Sequence, residues 1–88
     1  MAKRTDENQL EIVERLRAIG CSVYPTHESG RGFPDLVVGY CGKNYLIEIK
    51  TEIGKLRPAQ KNFIELWKGQ VSVVRTWEEA YKVVGVTF

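Results

Sequence analysis

Pro34-Asp35-Leu36-Val37-Val38-Gly39-Tyr40-Cys41-Gly42-Lys43-Asn44-Tyr45-Leu46-Ile47-Glu48-Ile49-Lys50 carries two apolar, β-branched runs on either side of a glycine-centred break. That is the pattern of a β-hairpin covering roughly Asp35 to Thr51. Glu48 and Lys50 are two apart, so they project from one face of the second strand while Ile47 and Ile49 project from the other. A tight turn at Cys41-Gly42-Lys43-Asn44 with Gly42 and Lys43 central sets Asp35 opposite Lys50, with Glu48 diagonally beside it on the same face. A slip of one residue would turn Asp35 to the wrong side.

Two carboxylates and an amine on one face of a buried hairpin need a physical reason, because desolvated charges are costly unless paired or bound to a metal. Mg²⁺ takes one or two protein carboxylates and completes its shell with waters and substrate oxygens. Asp35 and Glu48 can supply the carboxylates, and the backbone carbonyl of Ile49 is a further ligand if it points into the same space. Lys50 would then orient or deprotonate a water and balance charge on a phosphorane-like transition state. The chemistry this fits is hydrolysis of a phosphodiester. The alternative is a cross-strand salt bridge between Asp35 and Lys50, with Glu48 at a solvated edge.

The rest of the chain reads outward from the hairpin. Asp6 and Gln9 offer a capping pair for a first helix running to about Ile19 and stopping at Gly20. A first strand follows near Cys21 to Thr26, then a glycine-rich loop from His27 to Phe33. Glu52 to Arg57 is a charged connection, and Pro58 suits the first turn of a second helix ending at Gly69. Val71 to Arg75 is a short strand, and Thr76 with Glu79 forms a capping box for a last helix to about Val84. The order is αβββαβα. Met1 to Arg4 reads as a disordered tail.

At 88 residues and 43% hydrophobic content the chain can bury one modest core, so residues 1–88 are expected to form a single domain. A net charge of +2 is only mildly basic. Lys3, Arg4, Arg31, Lys43, Lys55, Arg57, Lys61 and Lys68 fall mainly in loops or on polar helix faces, where phosphates could reach them. Cys21 and Cys41 lack metal spacing, no secretory signal precedes them, and both are expected to be reduced, buried thiols. No apolar stretch is long enough to span a bilayer, so a soluble, cytoplasmic protein without membrane partners is expected. Trp67, Trp77, Tyr81 and Phe88 read as core or interface aromatics rather than stacking surfaces.

Pro34-Asp35 with Glu48-Ile49-Lys50 resembles the motif of the PD-(D/E)xK nuclease superfamily. Gly30 to Gly39, Tyr45 to Lys50, Lys55-Leu56-Arg57-Pro58-Ala59-Gln60 and Val73-Val74-Arg75 look like the virus-type replication-repair nuclease (VRR-NUC) family, over nearly the whole chain. The resemblance implies an α/β fold with a restriction-endonuclease-like core, a small mixed sheet flanked by helices. It also implies a Mg²⁺- or Mn²⁺-dependent endonuclease on branched DNA, similar to Holliday junction resolvases, acting in DNA repair as a small stand-alone, phage-type homodimer. A flap or nicking nuclease, or a catalytically silent DNA-binding module, are the alternatives.

Two glutamines join this site on combined grounds. Gln9 falls within the apolar stripe formed by Ile12, Val13, Leu16 and Ile19. Many resolvase-like relatives carry a metal-site glutamate on this helix, and counting back from Gly20 makes Gln9 the match. The change to an amide suggests contact with a bound water or a carboxylate, or only a helix-cap role. Gln60 shares a helix side with Phe63, Ile64 and Trp67, and a crossover from the Glu48-Lys50 strand to a parallel Val71-Arg75 strand starts that helix near Lys50. Related nucleases place a glutamine there beside the catalytic motif. Arg31, Lys55, Arg57 and Lys61 are the candidate DNA contacts, and Gly30 and Gly32 would let the backbone approach a ligand.

Overall fold

A computed structural model describes residues 5–87. The expected tail Met1 to Arg4, with its two basic residues, and Phe88 lie outside the described residues. Helix α1 spans Thr5–Ala18, strand β1 Ser22–Pro25, β2 Leu36–Tyr40, β3 Lys43–Ile49, helix α2 Pro58–Leu66, β4 Ser72–Val74 and α3 Trp77–Val83. The four strands form one sheet in the order β1-β2-β3-β4. The first three run antiparallel and β4 joins β3 in parallel. The αβββαβα order expected from the sequence is the order observed, with a short 3₁₀ turn at His27–Ser29 added before β2.

Strand periodicity divides the sheet into two unlike faces. Leu36 and Val38 of β2, Ile47 and Ile49 of β3 and Val74 of β4 are buried against Ile12, Val13 and Leu16 of α1 and Ala80, Tyr81 and Val84 of α3. Burying each large aliphatic side chain there contributes about 1.5–3 kcal/mol. Asp35, Leu46, Glu48 and Lys50 take the alternate positions and project to the second face, the one α2 approaches.

α1 begins one residue before Asp6, so Asp6 is not its N-cap; its carboxylate instead accepts the Glu7 N–H within the first turn. The helix closes where expected, with the Cys21 N–H bonding the Leu16 carbonyl and the Gly20 N–H that of Arg17. Thr76 caps α3 by accepting the Glu79 N–H, but the Glu79 carboxylate takes the Arg75 N–H, so the return half of the box is displaced by one residue. α2 ends at Leu66 rather than Gly69. Its C-cap, Trp67, is already extended because Gln70 is drawn onto β3, where its amide bonds both the N–H and the carbonyl of Leu46.

Packing also places the C-terminal residues, the cysteines and the tryptophans, and one expectation, a buried Cys41, fails. Val84 is buried, and Val83, Val86 and Trp77 pack partly buried on the core. The Tyr81 hydroxyl bonds the Arg15 carbonyl and the Arg15 guanidinium lies 4.2 Å over the Trp77 ring, tying α3 to α1. Cys21 is buried, but Cys41 sits exposed at the hairpin tip; both thiols are free. Trp67 is 43% exposed, which leaves the surface half of its expected core-or-interface role.

Candidate active site

The hairpin register decides which groups meet. Tyr40 pairs with Lys43 and Leu36 with Ile47, so the two central turn residues are Cys41 and Gly42, not Gly42 and Lys43. Both have positive φ, 51° and 79°, as a type I′ turn requires. Moving the turn by one residue moves every cross-strand partner by two. Asp35 therefore lies opposite Glu48 rather than Lys50, and because the shift is even it stays on the same face.

Pro34 explains how Asp35 is held. The next hydrogen-bonded pair of the ladder would set Pro34 against Ile49, and proline has no N–H to exchange. The Ile49 N–H bonds the Asp35 carboxylate instead, at 2.8 Å. The N–H and carbonyl of one strand residue project to the same edge, so the Ile49 carbonyl also points toward Asp35. Thr26 secures the other side, its hydroxyl donating to the Pro34 carbonyl at 2.6 Å and its N–H to that of Asp35 at 2.7 Å.

Glu48 is 2% exposed, not at a solvated edge. One oxygen, Oε2, accepts from Gln60 Nε2 at 2.8 Å and lies 3.4 Å from Lys50 Nζ. The other, Oε1, is buried with no hydrogen-bond partner. The ion pair thus runs from Lys50 to Glu48, not to Asp35. Gln60 is oriented by its own helix, for its Oε1 accepts the N–H of Arg57, the N-cap of α2, which leaves the amide nitrogen to face Glu48.

Burial pushes the Glu48 carboxyl up to about 7, the Asp35 carboxylate adds to the rise, and Lys50 draws it partly back. In the metal-free protein the folded state therefore keeps, between pH 4.5 and about 7, a proton that the unfolded chain has released. This stabilisation is fully present below the lower value and is lost as pH rises to the upper one, on the order of 1 kcal/mol per pH unit. Glu48→Gln should accordingly flatten the decline and leave the variant more stable than the parent at pH 8 in urea melts. Parallel profiles would show that another group titrates.

An orphaned buried carboxylate oxygen next to a second carboxylate and an inward strand carbonyl fits a hard divalent cation. Among the described residues no group of three or more His, Cys, Asp or Glu side chains is assembled. The donor set is therefore the two-carboxylate kind that leaves most of the shell to water and substrate, as Mg²⁺ prefers. Gln9 is half-buried and lines, with Asp35, Pro25, Leu10 and Arg17, a cleft of about 630 Å³ between α1 and the β1–β2 end of the sheet. Arg31, Lys55, Arg57 and Lys61 are all exposed.

Gly32 has a different task from the one expected. A Cβ there would lie 2.2 Å from the Ala59 carbonyl oxygen, so its close approach is to the first turn of α2 rather than to a ligand. Three residues were not singled out in the sequence. Buried Asn8 donates from one amide nitrogen to the Lys50 and Arg75 carbonyls, each at 3.0 Å, fixing the end of β3. The Arg75 guanidinium bonds the Thr51 and Gly54 carbonyls and pins the loop leading to Lys55 and α2. Thr26 is the third. Asn8 was findable, since it lies four residues before Ile12 and eight before Leu16, on the most buried row of α1.

The family model described as the VRR-NUC domain matches residues 1–80 of the chain. A solved structure described as a VRR_NUC domain superposes with a TM-score of 0.74 at 27% identity, covering 96% of this chain and 97% of that one. No curated protein matches.

Proposed function

The chain belongs to the VRR-NUC domain family, whose function is of nuclease type, and from that premise we propose that it is a Mg²⁺- or Mn²⁺-dependent endonuclease hydrolysing phosphodiesters in branched DNA, four-way junctions included. The observation that carries this reading is the buried Glu48 carboxylate, which faces Asp35 with one oxygen unpartnered while Lys50 and Gln60 hold the other.

Asp35, Glu48 and the Ile49 carbonyl would hold the ion. When bound, it supplies Lewis-acid polarisation and charge neutralisation at the phosphate. Lys50 presents its ammonium beside Glu48, where it orients the attacking water and offsets negative charge growing on the phosphate oxygens. Gln60 fixes the Glu48 carboxylate, and Gln9 offers an amide on the cleft wall shared with Asp35. Arg31, Lys55, Arg57 and Lys61 track the DNA backbone. Two opposed strands of a junction require two sites, which a two-fold homodimer supplies.

The test is to incubate the pure protein with four-way junction, flap, duplex and single-stranded DNA, with Mg²⁺, with Mn²⁺ and with chelator, and to map the cuts. Symmetric paired cuts, with a solution mass twice the 10.1 kDa chain, are expected. A single cut at a flap base would favour the nicking reading, and no cleavage of any substrate would sink the enzyme. Mg²⁺ should also raise the melting temperature by binding the native state preferentially. Asp35→Asn should lose most of that rise; an unchanged rise would place the cation elsewhere.

A further inference from the structure

The second face of the sheet carries a feature that the metal site does not use. Beyond Glu48 lies a groove of about 410 Å³ lined by Phe33, Tyr45, Leu46, Trp67 and Gly69. Trp67 leaves α2 in extended backbone, with its N–H bonded to the Phe63 carbonyl at 2.9 Å. The Phe63 ring stacks on the indole at 5.0 Å and 19°, and Phe33 meets Phe63 edge-on at 5.3 Å. The indole is thus backed by a fixed aromatic pair and yet is 43% exposed. Gln70, at the rim, has its amide engaged by Leu46 and Ser72, so it adds no free polar group.

We propose that this groove is a stacking subsite for an unpaired nucleobase of the DNA strand whose phosphate lies against Asp35, Glu48 and Lys50, with Trp67 as its platform. The proposal rests on the nuclease reading for the position of that phosphate. Three observations select this occupant. Leu46 and Glu48 are neighbours on one face of β3, about 7 Å apart along the strand, and Phe33 directly precedes Pro34-Asp35, so two residues of the lining adjoin the carboxylates in the chain. Lys68, the charged residue between Trp67 and Gly69, is an exposed cation, matching a nucleotide's phosphate. The volume suits a small planar group. Stacking on an aromatic platform tolerates any base, because every base has a π-face.

The chain has two tryptophans, so Trp77→Phe leaves Trp67 as its only indole. In chelator, where no chemistry occurs, a single-stranded deoxythymidine 12-mer should quench the emission of this variant. In the Trp77-containing protein, Trp67→Ala should weaken binding of a dye-labelled 12-mer roughly ten-fold or more, and Trp67→Phe should restore most of it. With the parent, an abasic position scanned along a cleaved junction should impair binding only next to the cut. Absent quenching, with Trp67→Ala binding like the parent, would overturn the subsite while leaving cleavage by the parent, and hence the nuclease reading, intact. Quenching and a Trp67→Ala defect without cleavage of any DNA would support the subsite and sink the nuclease reading. A change of solution mass in Trp67→Ala without DNA would overturn the proposal by making the groove a contact between copies.

Discussion

Glu48→Ala is expected to abolish cleavage, lowering kcat by at least about a hundred-fold, the scale on which removal of one charge-stabilising group acts. The variant loses the carboxylate opposite Asp35 and leaves Lys50 and Gln60 without their shared acceptor. Asp35 calls for two substitutions, because its carboxylate also closes the ladder at Ile49. Asp35→Asn keeps an oxygen for the Ile49 N–H, so it should lose activity while holding its stability. Asp35→Ala strands that N–H and should lose activity together with about 1–3 kcal/mol. Cleavage of a branched substrate, read beside a urea midpoint, separates the two. Parental kcat in Glu48→Ala and Asp35→Asn would remove the site altogether.

Gly32→Ala is the second large effect. Its φ of +77° costs a side chain about 1–2 kcal/mol, and the overlap with the Ala59 carbonyl adds the 1–3 kcal/mol typical of overpacking. Backbone on both sides of this contact gives way poorly, so α2 should shift and carry Gln60 off Glu48. A loss of about 3 kcal/mol and a fall in kcat are expected. Gly30→Ala is the control: φ is also positive, but no atom lies within 4 Å of the added Cβ. It should lose stability from the backbone alone and retain kcat. Equal losses of activity in the two variants would show that the close approach does not position α2.

The element order was legible because glycine, proline and capping residues punctuate a chain whose apolar period alternates between two and 3.6. The register was not. Gly42 can stand first or second in a two-residue turn, and nothing in Cys41 announces that it adopts positive φ. The face survived the error because a one-residue shift of the turn changes the pairing by an even number. Asp35, Glu48 and Lys50 were readable from spacing along a strand. Asn8 could have been found from its place on the buried row of α1, whereas Thr26 and Arg75 act through carbonyls whose positions only the folded chain defines. Trp67 reads from its spacing to Phe63 as a core or interface aromatic, and because the helix ends before it the indole stays 43% exposed, so the core half of that reading drops out.

α2 contains no buried residue, although it delivers the amide that holds Glu48. Its attachments among the described residues include the Phe33–Phe63 edge, the Gly32 approach and that amide bond. The four-stranded sheet, by contrast, is locked to α1 and α3 through the apolar core. Opening of a segment with so little buried apolar surface costs far less than global unfolding, so amide exchange in α2 should run ahead of exchange in the sheet that holds the carboxylates. The fold thereby separates a half anchored in the apolar core, which carries Asp35, Glu48 and Lys50, from a half that can open on its own.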